Sequence, residues 1–138
     1  MEEKQELLKI ENLTIEFDTE TGIKQVINGL DLVIHSGESL GLVGEAGAGK
    51  TTTALSILRL LARNAVLKSG KITYKGQDIS KLSIKQMEAL RGDKISMIFQ
   101  NPLTSLNPVF TVGEQIAMVL RKHRKLKQKE AMVEAGKL

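Results

Sequence analysis

The residues with the clearest chemical purpose are eight in a row: Gly44-Glu45-Ala46-Gly47-Ala48-Gly49-Lys50-Thr51. Their spacing is G-x-x-x-x-G-K-[ST], a phosphate-cradling loop. Glycines allow the backbone to wrap an anion without Cβ clashes, and successive N–H groups then point inward as a nest. A helix starting near Lys50 would aim the positive end of its dipole at the same place. In this arrangement Lys50 supplies charge for the β- and γ-phosphates, and the Thr51 hydroxyl is a magnesium ligand. The loop therefore predicts binding of a nucleoside triphosphate, ATP with Mg2+. The alternative is a glycine turn beside a chance lysine.

The surrounding elements support the first reading. Ser39–Val43 is a short, nearly apolar run that reads as a buried parallel strand entering the loop. From Lys50 to Leu61 the pattern turns helical, with Ala54, Leu55, Leu58 and Leu61 on one face. Upstream, Leu7–Phe17 reads as a strand, and Ile23–Ile27 and Leu30–Ile34 as two shorter ones. Downstream, Gly70–Tyr74 reads as a strand. Ser83 caps a helix to about Leu90, with Met87 and Leu90 on its buried side. Lys94–Gln100 reads as another apolar strand and Asn101–Pro108 as a loop. Thr111 caps a helix from Val112 to about His123, with Glu114 as its capping-box partner. A last helix begins at Gln128.

Composition narrows the classes. The chain is 41% hydrophobic and 26% charged, as in a soluble globular domain. It has no cysteine, which excludes disulfides and thiolate metal sites. The start, Met1-Glu2-Glu3-Lys4, is acidic and does not read as a secretory signal. No apolar run approaches the ~20 residues of a membrane span. The net charge of +4 is uneven: residues 121–138 hold seven Lys/Arg against two Glu, and the rest of the chain is close to neutral. A nucleic-acid-binding body is not supported. The basic stretch Arg121 to Lys129 reads first as a solvated helix face. A membrane-surface or transporter-partner contact comes next and nucleic acid last, because aromatic residues for base stacking are absent there.

Four segments, in order, carry a wider resemblance. They are Ile10-Glu11-Asn12-Leu13-Thr14-Ile15-Glu16-Phe17, the run Gly37 to Gly44 leading into the loop, Gly70 to Ile79, and Ile98-Phe99-Gln100-Asn101-Pro102. Together they resemble the N-terminal half of an ABC transporter ATP-binding subunit. Leu103-Thr104-Ser105-Leu106-Asn107-Pro108, with Asn28-Gly29-Leu30 and Gly44-Glu45, is similar to the oligopeptide, dipeptide and nickel permease branch. The resemblance implies an α/β fold: a P-loop NTPase core with an N-terminal antiparallel β layer, cut short before the signature motif. Residues 1–111 would form the incomplete nucleotide-binding core, and 112–138 the start of a helical subdomain.

The resemblance also implies site roles. Phe17 stands where the family stacks an aromatic ring on adenine, though it could be a strand core residue. Gln100 matches the glutamine that reaches magnesium and the attacking water, or it is an ordinary strand-end residue. Thr52 matches a residue that helps hold the α-phosphate, or it lies on a helix surface. Ala46 and Ala48 replace serines usual in that branch, and Thr51 replaces a serine; no backbone donor is lost.

Implied partners are membrane permease subunits and a second ATP-binding subunit. The implied location is cytoplasmic, at the inner face of the membrane, with membrane contact only through partners. The expected function is ATP binding that powers import of peptides, less readily nickel. The sequence holds no Leu-Ser-Gly-Gly run, no apolar strand ending in Asp-Glu and no switch histidine, so these residues alone are expected to hydrolyse ATP slowly or not at all. The alternatives are a non-hydrolysing nucleotide-binding module that needs a second polypeptide, and a different P-loop class. A GTPase would need Asn-Lys-x-Asp, which is absent.

Overall fold

The computed structural model describes residues 5–138; the charged start Met1–Lys4 lies outside the described residues. The chain divides into two compact units between Met87 and Glu88.

The first unit is built on a four-stranded antiparallel sheet in the order β2-β1-β3-β4. Its strands are β1 (Glu6–Thr19), β2 (Gly22–His35), β3 (Ala65–Tyr74) and β4 (Gln77–Asp78). β1 is the central long strand, hydrogen-bonded to β2 on one side and β3 on the other. Its apolar residues change phase along the strand. Leu8 and Ile10 face inward, and then Leu13 and Ile15 do, with a step of three positions rather than two from Ile10 to Leu13. A bulge absorbs the extra residue. Asn12 takes a left-handed φ of 47°, its N–H donates to Asp31 Oδ1 at 2.8 Å, and the register of both neighbouring strands shifts there. On β3, Gly70 crosses this bulge so closely that a Cβ would lie 2.5 Å from Leu13 Cα. The core collects Leu8, Ile10, Leu13, Ile15, Ile27, Leu58, Ile72, Ile79 and Met87.

Helix α1 (Lys50–Ile57) belongs to the same unit. The sequence pattern carries it to Leu61, but a C-terminal cap stops it earlier. Arg59 is left-handed at φ 51°, its amide donates to Ser56 O at 3.0 Å, and the Leu60 amide donates to Leu55 O at 2.9 Å. These two bonds form a Schellman cap that satisfies the last carbonyls. The Arg59 guanidinium also donates to the Leu82 carbonyl.

Three strand expectations change. Ile23–Ile27 and Leu30–Ile34 form one continuous strand, β2, because the amide of left-handed Gly29 is taken by Thr14 Oγ1 at 3.2 Å and the ladder runs on. Ser39–Val43 is not a strand, and Leu40, Leu42 and Val43 are exposed. Lys94–Gln100 is not one either: Ile95 makes a lone parallel bridge to Arg91, and Ile98 and Phe99 are exposed. The physical reason is shared. A parallel strand takes its hydrogen bonds from chains distant in sequence, and among the described residues neither segment has a ladder partner.

Helix α2 (Ile84–Leu90) spans the division, with Met87 buried and Leu90 half-buried. In the second unit a single 3-10 turn, Pro102–Ser105, precedes two helices, α3 (Val112–Arg124) and α4 (Gln128–Ala135). α3 carries the expected capping box: Thr111 Oγ1 accepts from the Glu114 amide at 3.3 Å, and Glu114 Oε2 accepts from the Thr111 amide at 2.8 Å. The two helices close on Ala117, Leu120, Ala131 and Ala135, with Ile116 and Leu126 against them.

Candidate functional site

Two glycines with positive φ shape the loop: Gly47 at 82° and Gly49 at 88°. Between them the Ala48 amide donates to Glu45 O at 3.2 Å, closing a turn. Gly49 is also fixed from outside. A Cβ there would lie 3.2 Å from both Ile27 Cγ1 and the Val26 carbonyl oxygen, a tight approach at a φ that L side chains rarely adopt, so glycine suits the seat on β2. Gly49 is then the N-cap of α1, and it has no side chain with which to occupy the helix end.

The helix end is therefore rich in free donors. Among the described residues, the amides of Gly47, Gly49, Lys50 and Thr51 have no protein acceptor. The first N–H groups of a helix lack intrahelical partners, and here they adjoin two left-handed glycines, the backbone geometry of an anion nest. Lys50 adds the charge. Its Nζ donates to Gly44 O at 2.6 Å and to Glu45 O at 2.7 Å, bridging the loop from its last turn to its first residues. An ammonium has three N–H donors, so one remains for a ligand oxygen. Thr51 presents an exposed hydroxyl in the first turn of α1, and Thr52 beside it is half-buried. Glu45, Ala46 and Ala48 are exposed. The two alanines leave every backbone donor in place.

These residues fit a phosphate group: unpaired amides, a tethered cation and a helix N-terminus converge within eight residues. They fit a magnesium ion more narrowly. Among the described residues no group of three or more His, Cys, Asp or Glu could hold a metal. A cation would therefore be held by ligand phosphate oxygens with the Thr51 hydroxyl, in keeping with the way Mg2+ is commonly bound through substrate phosphates.

The remaining candidates lie on other elements. Phe17 is half-buried near the end of β1, opposite Lys24 on β2 and Ala65 on β3. The strand end beneath it is pinned by reciprocal bonds: the Asp18 amide donates to Asn64 O, and Asn64 Nδ2 donates to Asp18 O. Gln100 belongs to the second unit and is exposed, in the irregular stretch ahead of the 3-10 turn.

One residue escaped the sequence reading. Thr53 is buried, and both its amide and its hydroxyl donate to Gly49 O, at 2.8 and 2.9 Å. It fixes the carbonyl of the glycine on which the loop turns. Its signal was a threonine four residues after a helix-capping glycine, the spacing at which a hydroxyl bonds back to a carbonyl.

Comparison with known proteins bears on the fold and the family. A dimeric ATP-binding cassette solved in a post-hydrolysis state bound to ADP and Pi matches with a TM-score of 0.80 over 95% of this chain and 55% of that one, at 22% identity, a likeness of fold. The "Probable peptide ABC transporter ATP-binding protein" of Sinorhizobium fredii is 44% identical over 130 residues, 94% of this chain and 39% of that protein. The dipeptide transport ATP-binding protein of Bacillus subtilis is 40% identical over 131 residues, again 94% and 39%. The oligopeptide transport ATP-binding protein of Salmonella typhimurium is 40% identical over 132 residues, 96% and 39%. The chain thus spans about two fifths of the length of these relatives. The family model described as ABC transporter matches residues 27–137, and with the fold and relatives above this places the chain plainly: it belongs to the ABC transporter family.

Proposed function

We propose that this chain binds MgATP at Gly44–Thr51 and serves as an ATP-binding subunit of an importer for peptides. The observation that carries the reading is the set of unpaired amides at Gly47, Gly49, Lys50 and Thr51 beside the tethered Lys50 ammonium. The amides and the third N–H of Lys50 would hold the β- and γ-phosphates, Thr51 the magnesium, and Thr52 the α-phosphate side. Phe17 would stack on adenine, since only a π-face is needed there. Gln100 would approach the metal and the attacking water. The names of the relatives support dipeptides or oligopeptides as cargo. In this reading the chain works with membrane permease subunits and a second ATP-binding subunit at the cytoplasmic face of the membrane. No helix among the described residues is long and apolar enough to cross it. α3 and α4 would begin the helical subdomain.

A second reading has its own support. Ser39–Val43, ahead of the loop, has no ladder among the described residues. In this reading the site binds nucleotide as a module that turns ATP over below the ~1 per second of ordinary enzymes and needs a second polypeptide for more.

Titration with a fluorescent ATP analogue tests the site. Lys50→Ala removes charge-assisted hydrogen bonds and is expected to weaken binding by roughly 10- to 100-fold. Thr51→Ala is expected to remove only the gain in affinity that magnesium gives. Equal affinity in Lys50→Ala and the parent chain would end the assignment. Phosphate release measured on the same sample separates the two readings.

A further inference from the structure

We propose that the corner joining α3 to α4 is a docking surface for anionic phospholipid headgroups. Between Glu114 and Glu130 the sequence has no acidic residue, while Arg121, Lys122, Arg124, Lys125, Lys127 and Lys129 fall within nine positions. All six are exposed. Lys122 reaches Glu88 at 3.9 Å and Arg124 reaches Glu134 at 3.8 Å. Among the described residues, Arg121, Lys125, Lys127 and Lys129 have no ion-pair partner. The nearby acids are already engaged: Glu130 accepts from the Lys127 amide at 2.9 Å, and Glu134 also pairs with Lys137 at 3.1 Å.

Helix stability accounts for only part of this charge. Arg121, Lys122 and Arg124 lie in the last turn of α3, where the negative end of the dipole favours cations. Lys127 and Lys129 lie where it does not. Lys127 is the N-cap of α4 and Lys129 is in its first turn, where the dipole's positive end repels them. Lys125 is the C-cap of α3 at φ 54°, a left-handed position that favours glycine or asparagine. Local structure thus works against the charges of Lys127 and Lys129, and a negatively charged partner is what would favour them.

The chemistry of the patch favours a lipid surface over the other anionic partners. Four of the six cations are lysine, a point charge suited to diffuse attraction, where arginine would give the fixed fork of specific carboxylate recognition. No Phe, Tyr or Trp follows Phe110 in this sequence, so the rings that stack best on bases are absent. Four to eight Lys/Arg clustered on a helical corner is the composition that binds anionic leaflets. This contact is direct and adds to any made through permease subunits. It does not depend on the nucleotide site.

The test is co-flotation of the whole 138-residue chain with vesicles, comparing phosphatidylcholine alone with phosphatidylcholine–phosphatidylglycerol mixtures. The chain should float only with the mixed vesicles. It should be released when salt rises from about 0.1 M to about 1 M, which shortens the screening length from ~10 to ~3 Å. Replacing Lys125, Lys127 and Lys129 together with Gln should lower vesicle affinity about 100-fold. The same three-charge change at Lys68, Lys71 and Lys85 should lower it less than about threefold. Gln at the start of α4 relieves dipole repulsion, so the helix should persist, and circular dichroism checks that it does. Lys50→Ala should float like the parent, whatever becomes of nucleotide binding. Four results would each overturn the proposal: no flotation with phosphatidylglycerol, equal losses in the two triple variants, binding that survives about 1 M salt, or release of the chain from vesicles by polyglutamate at equal charge. The last result would assign the corner to an acidic protein partner.

Discussion

β1 and the segment Ser39–Val43 are alike as sequences and opposite as structures. Both are rich in aliphatic residues and both read as strands, the second leading into the phosphate loop. In β1 Leu13 and Ile15 are fully buried, with ladders on both sides. In the other segment Val43 is 99% exposed and the backbone has no ladder. Apolar composition nominates a strand, but the partner chain decides. β1 finds β2 across a two-residue turn and β3 later in the same unit. Ser39–Val43 is a candidate parallel strand, and parallel pairing needs a partner at the far end of a crossover.

Core truncation tests this contrast most severely. Ile15→Ala removes buried methyl groups next to the bulge and is expected to destabilise the chain by about 2–5 kcal/mol. Val43→Ala removes side-chain atoms that already face water and should change stability by no more than about 0.5 kcal/mol. Urea unfolding of both variants measures the difference. Similar losses from the two would mean that Val43 packs in a core and that the contrast is false.

The phosphate loop follows Ser39–Val43 and rests against β2, and its hinge is the next place to press. Gly49→Ala faces two costs. A left-handed φ costs a non-glycine residue about 1–2 kcal/mol, and the new Cβ would stand 3.2 Å from the Val26 carbonyl oxygen, which is backbone and cannot swing aside. The expected result is a chain less stable by about 1–3 kcal/mol that binds the ATP analogue more weakly. Ala48, by contrast, already carries a Cβ and is exposed, and Ala48→Ser should leave both properties unchanged. Wild-type stability and affinity in Gly49→Ala would show that the loop is not seated on β2.

These cases explain what the sequence could disclose. The loop was legible because its chemistry sits in eight consecutive positions, and α3 was legible because helix bonds and caps close within four residues. The seat beneath the loop, Val26 and Ile27, was not legible, because a β2 residue meets Gly49 only after folding. Thr53 was half-legible: its spacing from Gly49 is local, but its burial is not. The single strand β2 was hidden by Asn28-Gly29, a turn signal that the ladder overrides by giving the Gly29 amide to Thr14. The strands expected at Ser39–Val43 and Lys94–Gln100 failed for the opposite reason, since nothing local decides whether a partner exists. Gln100 and Phe17 were placed through family resemblance, and their roles rest on the proposal above.

The smallest effect belongs to the most local device, the α3 cap. The Thr111 amide and then its hydroxyl, both bonded to the Glu114 carboxylate, hold that carboxyl below the usual glutamate range. A depressed folded-state pKa means that its contribution is fully present above the unfolded-state value. It is lost as pH falls from that value, ~4.3 for a free glutamate, through the lower folded-state value. The first turn of α3 should therefore fray in acid, with faster amide exchange at Thr111 and Glu114, while Thr111→Ala should cost about 1 kcal/mol at neutral pH. Glu114→Gln keeps a partner for the Thr111 amide and removes the titrating group, so its Thr111 amide exchange should lose this acid-induced step. Carboxyl chemical shifts followed against pH decide the matter. A Glu114 that titrates at or above the ordinary value would show that the capping bonds are not held in solution, and even an element this local would then need support from beyond its own four residues.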